Sequence, residues 1–343
     1  MASLAPAARP GRRRRAVLLV ACAITALFAS HLAGADERRY TIAFANLIEE
    51  PGVTLEATGF TGRDVRESLL LAARVHPIDL VLYDNGRDCA RAPANVEDAV
   101  SRKVDLFIQY CHSADVNAVV AEKLKAARIP VIAVNEPLAG APLYTLDNGA
   151  AGRIAGDALG DFALRTWRGR PLEAAIVGSL AGRGVPERAH GVQERLRHHL
   201  PAVRITRLDT QGNPAQVAGL VGRFLAARPG AKVLVAAMDD TTALACKSAL
   251  EAAGRLSDAA VVSHGADRSI RGGMSERKEI DPNNRGSIVL GSVAFYLDRV
   301  GYAVLPLALR MLRGQPTPPR TVTPHRLITA ANVFVEYPPY DMQ

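Results

Sequence analysis

ANVEDAVSRKVDLFIQYCHSADV, residues 94–116, and IPVIAVNEP, residues 129–137, together decide the fold class. Leu106–Tyr110 and Pro130–Val134 are short, mostly apolar runs of strand length. Between them Val116, Val119, Val120, Leu124 and Ala127 recur at i, i+3, i+4, i+8 and i+11, the spacing of an amphipathic helix. A strand, a helix and a second strand in so short a span form a βαβ unit. Such a unit demands parallel strands, with the helix covering one face of the sheet.

The same alternation extends in both directions. Upstream lie candidate strands Tyr40–Asn46 and Leu80–Asp84. Downstream lie Glu173–Gly178, Val203–Leu208, Val233–Ala237, Ala259–Ser263 and Ser287–Leu290. A helical pattern over Phe295–Leu312 ends in Arg310, Arg313 and Gly314, a cationic last turn with a glycine stop. About four strands precede the Pro137–Tyr144 loop and about five follow it, as expected when roughly 150 residues make one domain. The class is therefore α/β, with two doubly wound parallel-sheet lobes. Open parallel sheets bind ligands beyond the carboxyl ends of their strands. The residues there are Asn46, Asp84, Asn85, Tyr110, His112, Asn135 and Glu136 in the first half. In the second they are Ser179, Arg183, Arg188, Asp209, Asp239, Asp240 and His264. Planar polar side chains of this kind make paired hydrogen bonds to hydroxyl-rich or charged small molecules.

Composition excludes other classes. The chain carries 42 Lys and Arg against 34 Asp and Glu, a net charge of +8. Arg9 and Arg12 to Arg15 account for five of the cations, and no acid lies within residues 1–35. Without them 37 cations face 34 anions, +3 in all, which argues for no nucleic-acid partner. The apolar run Ala16–Leu32 follows the arginines and precedes Ala33-Gly34-Ala35, so residues 1–35 read as a secretory signal peptide cleaved after Ala35. Leu19-Val20-Ala21-Cys22 resembles a lipobox, the alternative in which Cys22 carries lipid. Arg14-Arg15 leaves Sec and twin-arginine export both open. Cleavage leaves Cys89, Cys111 and Cys246, an odd count in an oxidising compartment. Cys89 and Cys111 both follow strands of the first domain, where a disulfide is one of two open readings; Cys246 then remains as a small core residue. No spacing of His and Cys suggests a metal, and no Walker motif, glycine-rich phosphate loop or nucleophile elbow suggests a cofactor or catalysis.

At the strand ends the chain resembles the ribose- and galactose-type periplasmic binding proteins, the type I family of solute-binding components of sugar ABC transporters. They share their fold with lac-repressor effector domains. The resemblance covers about residues 40–335. It rests on the two stretches quoted above, on LDNGAAGRIAGDAL (146–159), on Glu187-Arg188-x-x-Gly191 and on Met238-Asp239-Asp240. It rests also on GSVAFYLDRVGYAVLPLALRMLRGQPTPP (291–319) followed by HRLITAANV (325–333). What the resemblance implies is two lobes joined by a three-strand hinge, with a solute bound between them. The first lobe would comprise 36–143 plus about 292–320, and the second 144–291 plus about 321–343.

Carried over position by position, the family's ligand contacts fall on Asn46, Asn135, Glu136, Arg188, Asp239 and Ser292, with Asp240 as the helix cap. Tyr110 and His264 complete the candidate set; His264 stands where the family normally has Asp. The segment Leu47–Gly62 is longer than the family's loop and lacks its aromatic pair, so Phe60, Tyr110 or Tyr296 would have to stack on a sugar ring. Glu49, Glu50 and Glu136 near one cleft offer the alternative of an amine-bearing solute. The resemblance implies a monomeric, non-enzymatic carrier of a small polar solute, sugar-like or polyol, that delivers it to an inner-membrane ABC permease. A ligand-sensing clamp for a membrane receptor or histidine kinase is the alternative. A DNA-binding repressor is excluded, because a signal peptide stands where a helix-turn-helix would be.

Overall fold

In the computed structural model, which describes residues 38–271, 278–284 and 286–338, the alternation resolves into two six-stranded sheets. The signal-peptide segment, residues 1–35, lies outside the described residues. The first half runs β1 (Tyr40–Asn46), α1 (Gly62–Ala73), β2 (Ile78–Asp84), α2 (Ala92–Ser101), β3 (Leu106–Tyr110) and α3 (Ala114–Ala126). It ends with β4 (Val131–Val134) and β5 (Leu143–Thr145). The second half runs α4 (Asn148–Thr166), β6 (Leu172–Gly178), α5 (Val185–His199), β7 (Arg204–Asp209), α6 (Gln216–Ala226) and β8 (Lys232–Ala237). It continues with α7 (Asp240–Ala252), β9 (Ala259–Gly265) and β10 (Val289–Ala294). The chain closes with α8 (Val300–Leu312), β11 (Arg320–Val322), β12 (Leu327–Ile328) and α9 (Val333–Glu336).

The strand orders are β11-β5-β4-β3-β1-β2 and β12-β10-β9-β8-β6-β7. Parallel pairing sets Ile42 opposite Leu106 and Ile108 opposite Ile132 in the first sheet, and Ala175 opposite Val235 in the second. Among the described strands only β12 pairs antiparallel, with β10. β3 and β9 are buried along their whole length, the signature of central strands covered on both faces. Nine strands lie within a few residues of where the sequence pattern puts them. The three that the pattern does not predict, β5, β11 and β12, have two or three residues each, too few to show a period. The expected helix from Phe295 starts instead at Val300, because Tyr296 adopts left-handed φ of 53° and a 3₁₀ turn follows.

The chain passes between the sheets three times: after β5, after β10 and after β11. His325 ties the three passages together. Its Nδ1 lies 2.9 Å from the Ala294 carbonyl, and its Nε2 accepts the Asp147 N–H at 3.2 Å. The ring also packs on Phe295 at 4.8 Å between centroids. Nδ1–H is then the donor and Nε2 the acceptor, so the hinge holds a neutral imidazole. Burial accordingly lowers the His325 pKa.

Cys89 and Cys111 are bridged, with Cα atoms 5.8 Å apart, and Cys246 is buried as a free thiol. Closing 22 residues between β2 and the end of β3 is worth about 3 kcal/mol in the chain-entropy account.

α4 and α5 pack closely, and glycines make that possible. A Cβ on Gly152 would stand 1.9 Å from the Arg188 carbonyl oxygen, and one on Gly191 would stand 2.3 Å from the Gly149 carbonyl oxygen. The D-N-x-x-x-G and E-R-x-x-G motifs are thus the two sides of one helix contact. That contact sets the position of Arg188.

Candidate functional site

The strand ends of both sheets face each other, and the hairpin Thr54–Thr61 reaches in between them. Its turn is tight: the Leu55 N–H donates to the Phe60 carbonyl at 2.7 Å, and the Thr58 hydroxyl donates to the Leu55 carbonyl at 2.8 Å. Glu56 and Ala57 at its tip take left-handed φ of 54° and 49°. Two such residues cost about 1–2 kcal/mol each, so strong contacts must hold the tip in place.

Those contacts come from both lobes. On the first, Glu56 Oε1 accepts from the Tyr110 hydroxyl at 2.5 Å and the Asn135 amide at 2.7 Å, and lies 2.8 Å from His112 Nε2. Burial alone would raise the Glu56 pKa, but the His112, Tyr110 and Asn135 hydrogen bonds outweigh it and hold the carboxylate below its usual range. Glu56 is ionised. From the second lobe Arg188, fully buried, donates to the Glu56 carbonyl at 3.0 Å and the Ala57 carbonyl at 3.1 Å. It also donates to the Met238 carbonyl, and to Asn148 Oδ1 at 2.9 Å. Its guanidinium stacks on Phe295 at 4.3 Å. Burial lowers the Arg188 pKa to about 10 against the pull of Asp239, Glu56 and Asp240, so it keeps its charge at neutral pH.

The other candidates divide between bracing and pairing. Asp239 is the N-cap of α7, accepting from the Thr242 N–H at 2.7 Å. This reverses the expectation that Asp240 would be the cap. Asp240 is instead fully buried; it accepts from Ser263 at 2.5 Å, from Ser292 at 2.6 Å and from the Asp267 N–H at 2.8 Å. Burial, reinforced by Asp267, raises its pKa. Ser292, which also accepts from the Ala266 N–H at 2.8 Å, therefore ties β10 to the start of α7 and to the segment after β9. Asn46, also buried, donates to the Gly62 carbonyl at 2.8 Å and to Glu49, fixing the base of the long loop. In the quoted A-N-x-x-D stretch, Asn95 donates to Asn85 at 3.0 Å and Asp98 accepts from Tyr83 at 2.6 Å, both as supports of the strand ends.

The three acids that suggested an amine-bearing solute are all neutralised. Glu49 pairs with Arg66 at 3.0 Å, Glu50 with Arg87 at 2.6 Å, and Glu136 with Arg183 across the lobes. Of the three aromatics considered, Tyr110 reaches the site through its hydroxyl. Phe60 is buried within the hairpin, and Tyr296 packs on Tyr337. The aromatic beside Arg188 is Phe295, which the sequence pattern assigned to a helix. Glu56, Asn148, Phe295, Asp267 and His325 are the residues at the site and hinge that sequence reasoning did not single out as contacts. The sixteen-residue segment Leu47–Gly62, longer than the family's loop, was the one available signal for Glu56. Among the described residues no group of His, Cys, Asp and Glu is arranged to hold a metal, and no helix is long and apolar enough to cross a membrane.

His264 is completely buried, its Nδ1 2.8 Å from the Ala237 carbonyl. Burial first, then the Arg188 charge, lowers its pKa to about 3. The unfolded imidazole takes up a proton near 6.5, whereas the folded one resists until about 3. Its contribution is therefore complete above 6.5 and declines as the pH falls through that window. Between pH 7.5 and pH 4 the wild-type protein is expected to lose on the order of 2–3 kcal/mol more than His264→Asn in urea unfolding. Equal losses in the two proteins would refute the assignment.

Two parallel-sheet lobes, three crossings gathered on one histidine and facing polar strand ends define a clamp-type binding protein. The chain belongs to the family described as periplasmic binding protein domain, which matches residues 52–316. A search of curated protein sequences returns no match. Among solved structures it is similar to an ABC transporter periplasmic solute-binding protein from Actinobacillus succinogenes with bound D-allose. That pair shares 16% identity over 86% of this chain and 99% of that one, with a TM-score of 0.64. An ABC transporter solute-binding protein from Agrobacterium vitis with bound allitol gives 17%, 87%, 97% and 0.61 in the same order. The fructose-binding periplasmic domain of a hybrid two-component system gives 19%, 87%, 94% and 0.60. At such identities the likeness is one of fold.

Proposed function

We propose that this chain is an exported solute-binding protein that closes its two lobes on a small polar solute, sugar-like or polyol, and delivers it to an inner-membrane ABC permease. The observation that carries the reading is Arg188, a buried cation of one lobe whose hydrogen bonds reach across to the other. A ligand contacted from both sides favours the closed arrangement over the open one by its differential contacts, which is all that a binding clamp requires. The allose- and allitol-bound neighbours support a polyhydroxy solute. Hydrogen-bonding rather than nucleophilic side chains at the strand ends support binding without turnover. In this reading residues 1–35 are a signal peptide removed after Ala35, and the mature protein is a periplasmic monomer with no nucleic-acid partner. On the same reading the lobes divide near residues 143, 291 and 320, a few residues before the chain leaves β5, β10 and β11 for the other sheet. The fructose-binding sensor domain among the neighbours favours one second reading, a clamp that signals to a membrane receptor.

Titration calorimetry with a panel of sugars, sugar acids and polyols tests the proposal. At least one solute is expected to bind at micromolar affinity and to raise the melting temperature. A panel in which none binds, and none shifts melting, overturns it.

A further inference from the structure

The place between the lobes is already filled by the chain's own residues. Tyr110, His112 and Asn135 converge on a single oxygen, Glu56 Oε1, and Arg188 spends two N–H groups on the Glu56 and Ala57 carbonyls. Leu55 and Phe60 are buried on either side of the tip. Gly59 lies so close to Asp267 that a Cβ there would stand 1.9 Å from the carboxylate. A cavity of about 470 Å³, lined among others by Glu56, Asn135, Asn148, Arg183 and Glu187, opens onto this tip.

We propose that the hairpin Thr54–Thr61 is a tethered stand-in for the solute, and that the solute displacing it is a carboxylate-bearing polyhydroxy compound, a sugar acid rather than a neutral sugar. This rests on the solute-binding reading and narrows it. Three groups gathered on one oxygen at 2.5–2.8 Å suit an anion. A hydroxyl has two lone pairs and a proton of its own to place, whereas a carboxylate oxygen only accepts. When Glu56 swings out, Arg188 is left beside the seat without the Glu56 and Ala57 carbonyls. Of the acids nearby, Glu49, Glu50 and Glu136 each hold an arginine, while Asp239 and Asp240 act on Arg188 from its own lobe and accept from Thr242, Ser263 and Ser292. Asp267 Oδ2, buried and without a hydrogen-bond partner among the described residues, is placed to accept from a solute hydroxyl. The left-handed Glu56 and Ala57 are released from an unfavourable conformation at the same time.

A tethered competitor lowers apparent affinity by the fraction of time it leaves the seat open. Weakening it in a protein whose seat is about nine-tenths occupied is expected to tighten binding about tenfold. The test pairs D-glucose with D-gluconate and D-galactose with D-galacturonate in calorimetry on the wild-type protein and Glu56→Ala. Hydrogen exchange of residues 54–61 in the wild type is followed with and without saturating solute. The acids are expected to bind about tenfold or more tighter than their neutral partners, and tighter again to Glu56→Ala. Saturation is expected to speed exchange in the hairpin. Neutral sugars binding as tightly as the acids, or a hairpin more protected when saturated, overturns this inference and leaves the solute-binding reading standing. No binding by either set to either protein overturns both. Should Glu56→Ala fail to fold, the wild-type affinities and exchange rates still decide.

Discussion

Replacing Arg188 with methionine is expected to remove about 3–5 kcal/mol of stability and to abolish solute binding. Methionine fills much of the same volume and stacks on Phe295, so packing alone would predict a small change. The loss comes from the acceptors left behind. The carbonyls of Glu56, Ala57 and Met238, with Asn148 Oδ1, all accept from this one fully buried guanidinium. A buried acceptor without a donor costs about 1–3 kcal/mol, and relaxation of the hairpin recovers part of that sum. Arg188→Lys is expected to fall near methionine, because a point-like ammonium cannot serve acceptors set around a planar fork. Urea unfolding measures the stability, and calorimetry the affinity. A methionine protein within 0.5 kcal/mol of wild type, still binding solute, would make Arg188 a bystander.

Gly152→Ala is expected to be nearly as damaging, although it adds a single methyl. In an isolated helix this change stabilises by about 1 kcal/mol. Here the new Cβ would stand 1.9 Å from the Arg188 carbonyl oxygen, a main-chain atom that no rotamer change can move aside. The two helices must separate, and overpacking of this kind costs about 3 kcal/mol or more. The clash outweighs the propensity gain. Separation also carries Arg188 away from Asn148 and the hairpin, so affinity is expected to fall together with stability. Gly222→Ala, on α6 with open space around its Cβ position, is the matched control and is expected to be neutral or slightly stabilising. Equal stabilities for the two alanine proteins would dismiss the helix contact as the origin of the paired motifs.

Much of the fold was legible because its signals are local. Val116, Val120 and Leu124 mark one helix face, although Val119 of the same pattern is exposed, and β3 and β4 declare themselves by apolar runs of strand length. Arg188 could be placed in the site because Glu187, Arg188 and Gly191 form a recognisable pattern. The boundary between Asp239 and Asp240 was harder. Adjacent aspartates at a helix start look alike in sequence, and which one caps depends on the extended backbone of Asp239, at φ −152° and ψ 168°.

The alternation of strands and helices was thus decided by the sequence, since it depends on neighbours within a few turns of chain, whereas two of the three crossings run through β5, β11 and β12, which are too short to show a period. The content of the site was decided by tertiary structure. Glu56 meets Tyr110 across 54 residues and Asn135 across 79, and its carbonyl meets Arg188 across 132. Glu49, Glu50 and Glu136 looked like free acids until the fold brought an arginine to each. Periodicity records which face of an element is apolar. It carries no information about which polar groups two closed lobes will press together, where charge is worth most because water is excluded.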